Sequence, residues 1–85
     1  MDNPDQVTTI RILTGHGVSR EFGTLTVIVE GDRVLWASTG QEIRILREAE
    51  LIGWGDLSGP AYDVQPYGCA WSVSVPKSVW DGLTL

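Results

Sequence analysis

The sequence predicts a mainly β (or α+β) fold: a small antiparallel sheet, barrel- or sandwich-like, ending in a short C-terminal helix or turn. Three observations carry this expectation. Thr24–Glu30 and Arg33–Ser38 flank Gly31-Asp32, and glycine at the first central position suits a type II′ hairpin turn. Gln6–Leu13 and Cys69–Val75 both alternate with the period of two that a strand imposes.

In chain order, Met1–Asp5 reads as a frayed end. In Gln6–Leu13, Thr8, Ile10 and Ile12 share one face, while Thr9 and Arg11 share the other. The β-branched content favours a strand. Thr14-Gly15-His16-Gly17 then reads as a turn. The hairpin fixes its own register: Glu30 opposite Arg33, Val29 opposite Val34, Ile28 opposite Leu35, Val27 opposite Trp36, and Leu25 opposite Ser38. Leu25, Val27, Val29, Val34 and Trp36 then form the core face. The other face carries Ile28, Leu35 and Ala37 beside Thr26, which is too apolar for a solvated sheet face. Cover by another segment of the same chain is the favoured reading. The alternative makes Ile28 and Leu35 an assembly face in a homo-oligomer.

Gln41–Leu51 reads two ways. Glu42-Ile43-Arg44-Ile45 alternates like a strand, whereas Thr39 with Glu42 has capping-box spacing and Leu46–Glu50 are good helix formers. The preferred reading is a strand over Glu42–Leu46 followed by a turn. Gly53–Gly68 holds four glycines, Pro60 and Pro66, and is expected to break any regular ladder. Cys69, Trp71, Val73 and Val75 face inward on the last strand, which Pro76 ends. Pro76–Asp81 begins a helix that Gly82 limits to about two turns.

Composition bounds the function. Eighty-five residues give one domain, residues 1–85. Eleven acids against six basic residues give a formal charge of −5, which disfavours direct nucleic-acid binding. The N-terminus is acidic and polar, unlike a secretory signal, and no apolar run is long enough to span a membrane, so the expected location is cytoplasmic. One cysteine rules out an internal disulfide framework, and with His16 the sole histidine, no metal site is expected. No phosphate-binding loop, HExxH motif or nucleophile elbow occurs, and neither an enzyme activity nor a cofactor is expected. Cys69 opens an apolar strand face and reads as an inert thiol rather than a partner for His16.

The candidate site is the broken segment. Trp54, Tyr62 and Tyr67, with Asp56 and Asp63 between them, have the composition of a contact surface. Trp54 reads either as a lid over one end of the core or as an exposed anchor. The other tryptophans have structural readings: Trp36 and Trp71 pack in the core, and Trp80 pins the C-terminus to the sheet. The leading functional expectation is a non-catalytic protein-binding module, an inhibitor or viral- or phage-type antagonist acting by steric occlusion. Its partner would be a protein, for instance a nucleic-acid-binding enzyme whose phosphate-binding surface the acids occupy. The alternatives are a structural subunit self-associating through Ile28 and Leu35, and a sugar-binding protein stacking its ligand on the aromatic loop.

Overall fold

The computed structural model describes residues 5–16, 19–52, 55 and 58–84. The elements are β1 (Asp5–His16), β2 (Ser19–Glu30), β3 (Arg33–Trp36), β4 (Ile43–Leu51), β5 (Gly59–Pro66), β6 (Val73–Pro76) and α1 (Lys77–Gly82). The fold is mostly β, as expected. Six antiparallel strands form one curled, half-barrel sheet in the order β3-β2-β1-β6-β5-β4. Among the described residues the two end strands of the sheet return toward each other at one bridge, Leu35 with Glu42, beside which the Trp36 N–H donates to the Gln41 carbonyl at 2.8 Å.

The β2–β3 hairpin has the expected register at four pairs, Val27 with Trp36 through Glu30 with Arg33. Gly31 has φ +65° and no other residue type in the described chain has positive φ, the sign pattern of a type II′ turn. The Leu25–Ser38 pair does not form. β3 stops at Trp36, and the Ala37 N–H donates to the Thr26 carbonyl instead.

β1 keeps the expected faces but runs further. Thr14, Gly15 and His16 are strand residues paired with Glu21, Arg20 and Ser19, so the expected turn does not fall on them. β2 correspondingly begins at Ser19 rather than Thr24. The pairing of each strand with its neighbour outweighs glycine's local preference for a turn.

Within Gln41–Leu51, Ile43–Leu51 is strand throughout, which corrects both the helical reading and the turn after Leu46. Thr39 does not cap a helix; its hydroxyl accepts from the Gln41 N–H. A bulge explains the broken alternation. Ile45 pairs with Val64 and Arg47 with Asp63, leaving Leu46 extra. Residues after Leu46 therefore change faces: Ile43 and Ile45 lie on the inner side, Ala49 and Leu51 on the outer.

The larger correction concerns Gly53–Gly68. Gly59–Pro66 is not a loop but β5, paired with β4 on one side and β6 on the other. Its prolines are tolerated because Pro60 and Pro66 lie outside Ala61–Val64, the stretch paired on both sides. The last strand is shorter than expected: only Val73–Pro76 pairs, and Cys69 lies in a turn, its N–H donating to the Pro66 carbonyl at 3.2 Å. Cys69 is free and half-buried. Pro76 still pairs with Ala61 and then caps α1.

The inner face holds the main core: Ile10, Ile12, Leu25, Val27, Val34, Ile43, Val64, Val73 and Val75. Burying each such side chain contributes about 1.5–3 kcal/mol. Trp36 and Trp71 pack edge-to-face at its margin, 5.2 Å between centroids, and Trp80 and Leu83 close it from the C-terminal side. A second cluster, Leu13, Leu51 and Ala61, sits on the outer face. Among the described residues no helix is long and apolar enough to cross a membrane.

Candidate functional site: a groove where the sheet ends diverge

Past the Leu35–Glu42 bridge the first and last strands separate, because β3 turns back at Gly31-Asp32 while β4 continues to Leu51. The gap between them is a groove of about 270 Å³. Asp32, Val34, Glu42, Ile43, Arg44, Ile45, Trp80 and Thr84 line it. Val34 and Ile43 are buried core residues and give it an apolar floor. Trp80, carried by α1, is half-buried and forms one wall, while Ile45 is 45% exposed at the edge. Asp32 is exposed and makes no hydrogen bond or ion pair with any described residue.

The groove's two acids differ in their surroundings. Glu42 lies 3.7 Å from the Arg33 Nε, and Arg33 is shared with Glu30 at 3.4 Å. Both contacts are exposed and contribute little to stability. The lining cation, Arg44, is drawn aside: its guanidinium donates to the Gln65 amide oxygen at 3.3 Å and stacks over the Tyr67 ring at 5.0 Å. Tyr67 itself is 48% exposed and is tied to the site through its backbone, its N–H donating to the Glu42 carbonyl.

The expected site residues are not brought together as one surface. Tyr67 stands beside the groove. Tyr62 and Asp63 lie on the paired strand β5, and as strand neighbours they face opposite sides of the sheet. Tyr62 packs half-buried against the inner core with the Lys77 ammonium 5.1 Å from its ring centroid. Lys77 also donates to Glu48, a contact that lowers the Glu48 carboxyl from its ordinary range and raises the lysine. Asp63 is held on the outer face by two donors, Ser74 Oγ at 2.6 Å and Arg47 Nη1 at 3.0 Å. Trp54 and Asp56 lie outside the described residues. Of the proposed assembly pair, Leu35 is buried and Ile28 half-buried.

No family model, curated protein or solved structure matches this chain. The groove must therefore be read from its own chemistry. Among the described residues no three His, Cys, Asp or Glu side chains gather in a way that could hold a metal ion. The arrangement offers carboxylates, an indole wall and an apolar floor open to solvent, the composition of a recognition site. Sequence reading missed Asp32, Glu42, Ile45 and Trp80 as site residues. Each had a local structural role that was legible, as turn, strand or anchor, and only the curl of the sheet makes them neighbours.

Proposed function

We propose that this chain is a non-catalytic protein-binding module, an inhibitor or antagonist acting by steric occlusion, whose partner docks over the groove. The observation that carries the reading is the edge of that groove. Ile45 and Tyr67 leave large apolar surfaces in water beside a concavity with an apolar floor, an arrangement suited to a partner interface. The formal charge of −5 favours a partner with a basic face, such as a nucleic-acid-binding enzyme. On this reading the protein works in the cytoplasm and takes its partner by direct contact, without a cofactor.

The test begins with affinity capture from the native host and identification of the captured protein. Binding of that purified partner is then measured for the wild type, Ile45→Asp and Tyr67→Ala. Both variants should unfold at about the wild-type temperature and bind roughly tenfold more weakly. Unchanged affinity in both would overturn the reading.

A second reading, self-assembly, is favoured by one observation. β3 pairs only with Val27–Glu30, so among the described residues no strand covers the outer edge of β2 from Ser19 to Leu25. An uncovered edge of this length is a template for another chain. The contact would then run through backbone hydrogen bonds of β2 rather than through Ile28 and Leu35. Light scattering decides it: a monomer at all accessible concentrations eliminates this reading.

A further inference from the structure

We propose that the groove seats an arginine side chain of the partner protein. The inference rests on the protein-binding reading and names the chemistry that the site selects. Three features of the lining converge on a guanidinium. Asp32 is an acid with no ion pair among the described residues, held at a fixed place by the type II′ turn. Trp80 supplies an aromatic wall, the surface on which a guanidinium is most favourably placed. Val34 and Ile43 offer an apolar floor suited to the methylene stem of the same side chain.

The charges around the groove agree with this. Two carboxylates line it against one arginine, and Arg44 is already engaged by Gln65 and the Tyr67 ring. Glu42 is only loosely held, at 3.7 Å from an Arg33 that also serves Glu30, and can turn toward an incoming cation. The volume, about 270 Å³, accommodates one long side chain and little more. A planar fork satisfies separated carboxylate oxygens better than a point charge does, so arginine is favoured over lysine.

The test titrates acetyl-Ala-Arg-Ala-amide into isotope-labelled protein and follows amide and indole N–H resonances, with citrulline and lysine peptides in parallel. The arginine peptide should shift Asp32, Ile45 and the Trp80 indole in one saturable curve, and the citrulline peptide, which lacks the charge, should not. Asp32→Asn with Glu42→Gln should weaken binding about fivefold, whereas Glu21→Gln with Glu50→Gln, which removes the same charge elsewhere, should leave it unchanged. Equal response to citrulline or lysine, equal weakening by both double variants, or shifts spread over the whole surface would each overturn the proposal. The two readings separate on the captured partner. If Ile45→Asp weakens its binding and Asp32→Asn with Glu42→Gln does not, the module stands and the arginine assignment falls.

Discussion

Ile12 and Leu13 are chain neighbours on opposite faces of one strand, yet both are almost wholly buried, at 4% and 2% exposure. Ile12 enters the main cluster, which draws on all six strands, whereas Leu13 belongs to a smaller cluster with Leu51 and Ala61, and Ala49 packs against it. The contrast shows that the sheet is not a simple two-sided layer with one wet face. Where β1, β5 and the end of β4 converge, the outer face carries its own small core. The polar outer-face residues beside it, Asp63, Ser74 and Arg47, are tied to one another rather than to water alone.

Truncating each neighbour is the sharpest probe of that contrast. Ile12→Ala should cost about 4 kcal/mol, because the well-packed inner cluster cannot close the cavity. Leu13→Ala should cost less, about 2–3 kcal/mol, since its smaller cluster has room to collapse. Chemical denaturation measures both, and a Leu13→Ala loss under about 1 kcal/mol would show that the outer cluster is no core. A smaller effect is expected at Ser74. Ser74→Ala leaves Asp63 without its buried hydroxyl donor and should cost about 1–2 kcal/mol, and more where Arg47, the second donor, is also removed. A double-mutant cycle with Arg47→Met reads that coupling.

The smallest effect lies at the margin of the inner face, where Lys77 meets Glu48. The Lys77 hydrogen bond and charge hold the Glu48 carboxyl below the usual glutamate range. Its contribution is therefore present above the ordinary glutamate pKa and fades as pH falls through the lowered folded value. Lys77 is raised by the same hydrogen bond, so its contribution is present below the ordinary lysine pKa and fades as pH climbs through the raised one. Glu48 is exposed and Lys77 half-buried at the surface, so the effect should appear in their titration rather than in stability. Side-chain carboxyl NMR should find Glu48 titrating low in the wild type and returning to the ordinary range in Lys77→Met.

Much of the sheet was legible locally. The β2–β3 hairpin could be read pair by pair, because a two-residue turn leaves the register no freedom. The alternation of Thr8, Ile10 and Ile12 fixed a face of β1 without any knowledge of its partners. What misled was reading glycine and proline as interruptions. Gly15 and Gly23 lie within paired strands, and Pro60 and Pro66 stand near the ends of one. The proline-rich look of β5 hid Ala61–Val64, whose inner residues Tyr62 and Val64 alternate with Ala61 and Asp63. That error split the expected contact surface, since strand geometry sends Tyr62 and Asp63 to opposite sides. The bulge at Leu46 was illegible for a related reason: it is defined by a mismatch with a partner strand, not by any residue of its own. The groove lies one step further from local sequence. It joins a turn, a strand start and a C-terminal helix that meet only when the sheet curls.

Glu42 occupies an unusual post in that geometry. Among the described residues its backbone supplies the bridge that joins β3 to the start of β4, and its side chain borders the cleft beside that bridge. Whatever enters the cleft thus presses on the fastening of the whole curl. Protection of the Trp36 amide, whose hydrogen bond flanks the bridge, becomes a gauge of occupancy that needs no label on the visitor.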